Sequence, residues 1–145
     1  MLRVDSRPVT ADDVELAYRI KCAAMRPYVE ATWGWDEEAQ RRLHARRCRV
    51  GESELLLVGE EPVGFLYVAR KPEEIVLVSV HVLPGWQSQG IGTTIIERLS
   101  AEARRAGVPL GLQVLRVNER ARALYERHGF RVTETTDTHH HMIRS

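Results

Sequence analysis

The first third of the chain shows one strand pattern followed by two helical ones. Leu2–Val9 is predicted to form a strand. Val14, Ala17, Tyr18 and Cys22 then recur at helical spacing and predict a helix through about Met25. Pro27 is expected to end this helix, because the residue before a proline avoids the helical conformation. Asp36 has the side chain of an N-cap and predicts a second helix that runs to about Cys48.

From residue 54 onward, β-rich runs are separated by turn residues. Three runs predict the strands of a meander: Leu55–Val58, Val63–Ala69 and Ile75–Val82. Ile91, Ile95, Leu99 and Ala103 recur every four residues and predict a helix that ends near Gly107. The predicted elements that follow are a strand over Leu110–Leu115, a helix over Glu119–His128, and a hairpin of Phe130–Thr133 with Thr138–Ile143. Because strands and helices alternate here, part of the sheet is expected to be parallel and the class to be mixed α/β.

Composition limits the class of protein further. With 145 residues, the chain is long enough for a core, and we expect a single domain over residues 1–145. Its 21 basic and 20 acidic residues leave a net charge of +1, unlike the strongly basic balance of a nucleic-acid-binding protein. No apolar run approaches the roughly 20 residues of a membrane helix, and the N-terminus lacks the apolar region of a signal peptide. Cys22 and Cys48 fit neither a disulfide framework nor the spacing of a zinc site. These features predict a cytoplasmic protein with no nucleic-acid or membrane partner.

A glycine-containing turn follows the third β-rich run. Residues 87–93 read Gln-Ser-Gln-Gly-Ile-Gly-Thr, between a predicted strand and a predicted helix. Glycines let a backbone approach a ligand closely, and the first N–H groups of a helix lie unbonded at the positive end of its dipole. This combination favours a phosphate or pyrophosphate site. No lysine follows Gly92 and a third glycine is missing, so the segment is neither a P-loop nor a dinucleotide fingerprint.

A second informative segment covers residues 118–130. Asn118 follows a strand end, Ala121, Leu124 and Tyr125 lie on or near one face of the next helix, and Gly129 ends that helix. Taken alone, a tyrosine at such a position is most simply a packing residue.

The two segments together resemble the GNAT superfamily of N-acetyltransferases. Gln-x-x-Gly-x-Gly after a strand, then about 25 residues later Asn-x-x-Ala-x-x-Leu-Tyr-x-x-x-Gly-Phe, is far more specific than either half. The resemblance covers roughly residues 54–143. It implies a mixed, mostly antiparallel sheet with splayed central parallel strands, flanked by about four helices. It also implies that a primary amine of a small molecule or peptide takes the acetyl group of acetyl-CoA by direct attack.

The resemblance implies roles for individual residues. The main chain of Val80, His81 and Val82 would contact the pantetheine arm and the acyl carbonyl. The turn that would hold the pyrophosphate consists of Gln87, Ser88, Gln89, Gly90, Ile91, Gly92 and Thr93. Asn118 would contact the cofactor arm, and Tyr125 would act as the general acid that protonates the departing thiolate.

The base that removes the amine proton is left open. Family members that acetylate protein N-termini often carry a glutamate where this chain has Gln113, which cannot accept a proton at working pH. Glu74, His81 and a water chain are the alternatives, and His81 has the more suitable unperturbed pKa. His81 is equally consistent with a buried histidine bonded to main chain.

The first two helices and their loop usually form the acceptor wall in this family. The residues that this places there are Tyr28, Glu30, Trp33, Trp35 and Glu37. Aromatic rings flanked by carboxylates suit a cationic amine. The alternative is that both tryptophans pack the helices onto the sheet.

Other hypotheses also stay open. Because Gln113 replaces the glutamate, the same scaffold could be a non-catalytic acyl-CoA-binding or regulatory module. The glycine turn alone could belong to a nucleotide-binding domain of another kind. His139, His140 and His141 fall inside the last predicted strand without a further ligand, and no metal site is predicted. The last strand could offer an edge for a homodimer.

Overall fold

The β-rich runs form a mixed sheet. A computed structural model describes residues 2–145, so residue 1 of the predicted domain lies outside it. The described strands are β1 (Asp5–Pro8), β2 (Glu54–Val58), β3 (Glu61–Arg70), β4 (Ile75–Val82), β5 (Leu110–Leu115), β6 (Arg131–Thr135) and β7 (His139–Arg144). Their order in the sheet is β1-β2-β3-β4-β5-β7-β6. The α-helices of the described residues are α1 (Val14–Trp33), α2 (Glu37–Arg47), α3 (Ile91–Ala106) and α4 (Glu119–Arg127).

The parallel part of the sheet is the pair β4 and β5. Ile75 lies opposite Leu110, and Leu77 lies opposite Leu112. In the chain, α3 lies between these strands and provides the long crossover that parallel neighbours require. The pairs β1/β2, β2/β3, β5/β7 and β6/β7 are antiparallel. The predictions of a mixed α/β class, a mostly antiparallel sheet and about four helices are confirmed.

The described chain divides into two compact units. The first contains the described residues up to Val68 together with Ser79–Gly92, and the second contains Ala69–Val78 and Thr93–Ser145. The first unit has a core of Val9, Ala17, Ile20, Cys48, Leu55 and Phe65. In the second unit, the buried apolar residues include Ile95, Leu99 and Ala103 of α3 with Leu112 and Met142 of the sheet. The single domain over residues 1–145 stays a prediction.

The prediction that Pro27 ends the first helix was wrong. α1 continues through Pro27 to Trp33. A proline inside a helix removes one hydrogen bond and costs about 3 kcal/mol. Two interactions oppose this penalty: Val29, beyond the proline, is buried, and Arg26 pairs with Glu30 across the proline at 2.7 Å between Nε and Oε1. Burial and side-chain pairing therefore outweigh the local preference.

The connection between α1 and α2 is short and capped at both ends. Gly34 has a φ of 79°, and its N–H donates to the carbonyl of Glu30. The Asp36 carboxylate accepts a hydrogen bond from the Ala39 N–H at 3.1 Å. The predicted N-cap is confirmed.

The expectation that the last strand offers an edge was wrong. β7 lies between β5 and β6, so β6 is the edge of this side of the sheet. A hairpin can join a sheet through either of its strands, and here the second one pairs with β5. The homodimer stays a prediction without this support.

Candidate functional site

The turn between β4 and α3 has the unusual backbone that its glycines suggest. Pro84–Trp86 form one 3₁₀ turn, and Ser88 and Gly90 then have φ values of 62° and 87°. Ser88 and Gly90 are exposed, and α3 begins at Ile91. Left-handed residues among ordinary ones make concave turns that suit anions, and the positive end of a helix dipole adds to this. The turn therefore has the backbone of an anion-binding segment.

Two glutamine side chains stabilise the shape of this turn. Gln87 Nε2 donates to the Val82 carbonyl at 2.9 Å, and Gln89 Nε2 donates to the Gly85 carbonyl at 3.0 Å. Gln87 thereby ties the turn to the end of β4. Both hydrogen bonds therefore stabilise the backbone conformation of the turn.

His81, near the end of β4, is a neutral histidine in positively charged surroundings. Its ring stacks on Phe65, with centroids 5.8 Å apart and an interplanar angle of 13°. Burial above all, then the charges of Lys21, Arg47 and His44, lower the pKa of His81 to about 3. A group with such a pKa is a weak base, which disfavours His81 as the acceptor of the amine proton.

Glu74 precedes β4, whereas the glycine turn follows it. The Glu74 carboxylate lies 3.7 Å from Lys71 Nζ. Its place at the other end of the strand disfavours Glu74 as the base. Gln113 is exposed on β5, opposite His141 of β7.

The helix α4 positions the residues of the second motif. Asn118 is its N-cap, and Asn118 Oδ1 accepts a hydrogen bond from the Ala121 N–H at 3.2 Å. Tyr125 is 7% exposed and packs on Phe130, with ring centroids 5.7 Å apart. No hydrogen bond of the Tyr125 hydroxyl is found among residues 2–145. Burial raises the pKa of Tyr125 to about 12, so this hydroxyl is protonated at neutral pH and can donate to a ligand.

The first turn of α3 lies beside the end of α4. Thr93 Oγ1 and His128 Nε2 are 3.4 Å apart, and the His128 N–H donates to the Tyr125 carbonyl at 3.0 Å. This contact brings Thr93 of the first motif to the helix that carries Tyr125 of the second. Sequence reasoning missed the contact made by His128. The sequence offers one indication of it, the position of His128 at the end of the helix, just before Gly129.

The acidic and aromatic residues around the α1–α2 loop have partners within the protein. Trp35 Nε1 donates to Glu37 Oε2 at 2.8 Å, and the Tyr18 hydroxyl donates to Glu37 Oε1 at 2.9 Å. The guanidinium of Arg26 lies 4.9 Å from the ring centroid of Trp35. Because Arg26 also pairs with Glu30, the Trp35 ring and the Glu30 carboxylate share one cationic partner within the chain.

The other two residues predicted for the acceptor wall differ in exposure. Trp33 is 58% exposed, so it does not pack α1 onto the sheet. Tyr28 is half-buried, and its carbonyl accepts a hydrogen bond from the Thr32 hydroxyl at 2.9 Å.

Sequence reasoning also missed Lys21. Lys21 lies on α1 and is only 7% exposed, and its Nζ donates to the Gln40 carbonyl at 3.4 Å. Burial foremost, then the charge of Arg47, lowers the pKa of Lys21 to about 8. The signal was its spacing, four residues after Ala17 and three before Ala24 on the buried face of the helix.

The histidines of β7 have protein partners. His140 is buried; its Nδ1 lies 2.9 Å from Thr135 Oγ1, and its Nε2 lies 3.2 Å from Arg122. Over residues 2–145, no group of three or more His, Cys, Asp or Glu side chains is arranged to hold a metal ion.

Cys22 and Cys48 are free thiols. No described helix has the length and apolar character to cross a membrane.

The protein has the elements of an acetyltransferase fold: a mixed sheet, a turn that leads into α3, and the helix α4, which carries Tyr125. The model of the acetyltransferase (GNAT) family matches residues 16–130, and the chain belongs to this family. The predicted membership is confirmed. No curated protein matches the chain.

Solved structures of other family members have the same fold. The PaiA N-acetyltransferase of Thermoplasma acidophilum, in complex with coenzyme A, is 16% identical, with a TM-score of 0.82 over 99% of both chains. An acetyltransferase of Thermus thermophilus is 27% identical, with a TM-score of 0.77 over 99% of this chain and 97% of its own. A ribosomal-protein alanine N-acetyltransferase of Escherichia coli is 24% identical, with a TM-score of 0.69 over 97% of this chain and 90% of its own.

Proposed function

We propose that the protein is an acetyl-CoA-dependent N-acetyltransferase that acetylates a primary amine of a small molecule or peptide. The observation that carries the proposal is the turn with left-handed Ser88 and Gly90 that leads into α3, in a chain of the acetyltransferase family. The coenzyme A complex of the Thermoplasma acidophilum protein supports acetyl-CoA as the co-substrate.

The residues of the turn fit a diphosphate. The backbone N–H groups of the turn and of the first turn of α3 bind the pyrophosphate, with Gly90 and Gly92 allowing close approach. The main chain of Val80, His81 and Val82 aligns the pantetheine arm. A backbone N–H near Val82 donates to the acyl oxygen and stabilises the negative charge that develops there. Asn118 completes the contact with the arm.

Acetyl-CoA supplies an activated thioester, and the protein supplies proton transfer and charge stabilisation. The nitrogen lone pair of the neutral amine forms a bond to the acyl carbon, and the carbon–sulfur bond then breaks. Tyr125, which is protonated at neutral pH, donates its proton to the departing sulfur and then regains a proton from solvent.

The proton lost by the amine leaves through a water chain. An amine with a pKa near 10 is mostly protonated at neutral pH, so a route for this proton is required. The low pKa of His81 and the position of Glu74 before β4 favour water over either side chain. The acceptor lies against the residues of the α1–α2 region predicted for it, Tyr28, Glu30, Trp33, Trp35 and Glu37, and the reaction takes place in the cytoplasm.

The change Tyr125→Phe tests the proposal. It removes the donor to the sulfur and keeps the ring that packs on Phe130. Turnover, measured as free thiol released from acetyl-CoA over a panel of amines, is expected to fall about 10²-fold. The affinity for coenzyme A, measured by calorimetry, is expected to change little.

Other outcomes would favour the other hypotheses. Coenzyme A binding without thiol release over the whole panel would indicate a binding or regulatory module. Tighter binding of ATP than of coenzyme A would indicate another kind of nucleotide site. Equal turnover of wild type and Tyr125→Phe would remove Tyr125 from the mechanism.

A further inference from the structure

The first unit buries a positive charge that has no carboxylate partner. Lys21 is 7% exposed, and its hydrogen bond to the Gln40 carbonyl is long, at 3.4 Å. Among the residues that the structure describes, no carboxylate forms an ion pair with Lys21. A buried ammonium opposes folding unless it is paired and hydrogen-bonded. Such a residue calls for an explanation beyond packing.

Two side chains shift the pKa of Lys21 through their charges: Arg47 lowers it, and Cys22 raises it to a smaller extent. Arg47, at the end of α2, forms no ion pair in the described part of the chain, and its charge adds to the lowering of the pKa of Lys21. Lys21, Arg47 and His44 each disfavour protonation of His81. The side chains named here that lower the pKa of His81 are all basic, and a smaller contribution from the Val80 backbone raises it. The four residues come from α1, α2 and the end of β4, all in the first unit.

Two buried polar atoms at this place lack a hydrogen-bond partner within residues 2–145. They are Gln40 Oε1 and His81 Nδ1. Buried polar side-chain atoms in proteins nearly always have a partner, in the protein or in bound solvent. An uncompensated cation beside unpaired polar atoms is the arrangement of a polar ligand site. We call Lys21, Gln40, Arg47 and His81 the Lys21 cluster.

We propose that the Lys21 cluster binds a compact oxyanion, a carboxylate or a phosphate, carried by the amine acceptor itself. The inference rests on the proposed function, in which the main chain of His81 contacts the acyl carbonyl. The anionic group at Lys21 and the reacting amine then belong to one small molecule, such as an amino acid or an aminoalkyl phosphate. Lys21 and Arg47 supply the positive charge, and Gln40 Oε1 accepts a hydrogen bond from a donor of the same molecule.

A lysine suits this role better than an arginine. Of the 21 basic residues, only Lys21 and Lys71 are lysines. An ammonium is a compact point charge with three rotatable donors, whereas a guanidinium is a wide planar fork. A compact charge suits a buried position such as that of Lys21, whose Nζ contacts the Gln40 carbonyl of α2.

Matched acceptors test the inference by kinetics. With saturating acetyl-CoA, an amino acid is compared with its carboxamide, and an aminoalkyl phosphate with an alkylamine of equal length. The protein is expected to favour the anionic member of a pair by about tenfold in kcat/KM, as for a charged hydrogen bond. Which pair shows the preference distinguishes carboxylate from phosphate.

The variant Lys21→Met assigns this preference to the cluster. It is expected to raise KM about tenfold for the anionic acceptor and to leave the neutral acceptor unchanged. Arg42→Met is the control, because it removes one exposed positive charge from α2. Equal rates for the anionic and neutral members of both pairs, or equal effects of Lys21→Met on both members, would overturn the inference.

A binding measurement separates this inference from the proposed function. Isotope labelling of lysine gives side-chain NMR signals from Lys21 and Lys71, and Lys71 is the internal reference. An amino acid or aminoalkyl phosphate, added with and without coenzyme A, is expected to shift the Lys21 signal and to raise its titration midpoint above about 8. A shift without any acetylation would retain the anion site and reject the transferase, whereas acetylation of neutral amines with an unmoved Lys21 signal would do the reverse.

Discussion

Lys21 is a single residue whose burial opposes folding of the chain. Its pKa falls from 10.5 to about 8 in the folded protein, chiefly because burial disfavours the charged form. Below pH 8 both the folded and the unfolded chain carry this proton, so the full penalty applies. Between pH 8 and 10.5 the unfolded chain binds more protons, and the stability contributed by this group therefore rises with pH. At about 1.4 kcal/mol per pKa unit, the penalty at neutral pH is about 3 kcal/mol.

The variant Lys21→Met is therefore expected to be more stable than wild type. Methionine fills the same space without a charge, and the free energy of unfolding at pH 7 should rise by about 1–3 kcal/mol. The advantage should shrink as the pH rises from 8 to 9.5. Urea denaturation at several pH values measures this, with Arg42→Met as the control for loss of an exposed charge. An advantage that is constant with pH, or none at all, would contradict the buried charge.

The residues that the sequence could predict are those whose role is set by the local backbone. Gly90 has a positive φ and Asn118 caps a helix, and both functions depend on a few neighbouring residues. The setting of His81 depends on Lys21 and Arg47, which the fold brings from α1 and α2. No pattern along the chain states that a lysine on an apolar face lacks a carboxylate partner. Such charge environments are properties of the assembled elements.

At the scale of elements, β3 carries a glycine, Gly64, that lies close to the main chain of β4. A Cβ built on Gly64 would lie 2.6 Å from the His81 carbonyl oxygen and 3.0 Å from Leu56 Cδ1. The carbonyl belongs to the main chain of β4, so the strand itself would have to shift. Gly111 on β5 is the contrast, because its Cβ would meet Glu74 Oε2 at 3.7 Å and the Met142 carbonyl at 3.8 Å.

The two glycine changes are expected to act in opposite directions. Gly64→Ala should lower the free energy of unfolding by about 1–3 kcal/mol through overpacking. Gly111→Ala should raise it by about 0.5–1 kcal/mol, because glycine loses more backbone freedom on folding. Denaturant unfolding of both variants measures the difference. Equal stabilities of the two variants would contradict this expectation, because they would mean that β4 shifts away from a Cβ at position 64 without a loss of stability.

Most element boundaries lie within a few residues of the sequence patterns, and the largest departure lies where burial overrode a local preference. β5 has its predicted limits, and the four-residue stripe of α3 is buried as predicted. The largest departure is at Pro27, where the sequence pattern ends a helix that the structure continues, whereas β1 is only shorter than predicted and begins at Asp5. A proline reports only its own lost hydrogen bond. The burial of Val29 on the next turn depends on the rest of the core and cannot be read at Pro27 itself.

At the scale of the whole molecule, alternation of strands and helices predicted the parallel pair, and the order of the last hairpin escaped prediction. Parallel β4 and β5 follow from the helix between them, because such strands need a long connection. A hairpin has no comparable rule for which strand joins the sheet. Its strand order depends on the match between the faces of β7 and β5, which pair from Leu110 with Arg144 to Leu115 with His139.

The unfolding of the whole chain gives a test of the proposed cofactor site with two matched glycines. Gly90 and Gly107 have φ values of 87° and 70°, and a Cβ on either would meet no atom within 4 Å. Alanine is strained at both positions, so each variant should lose about 1–2 kcal/mol of stability.

In the proposed function only Gly90 lies against the pyrophosphate. Coenzyme A at about 100 times its Kd should stabilise wild type by about 2.7 kcal/mol and raise Tm by several degrees. Thermal unfolding should show this rise in full for Gly107→Ala and a much smaller rise for Gly90→Ala. Since local strain is common to both variants, an equal rise in the two would place the diphosphate away from the turn.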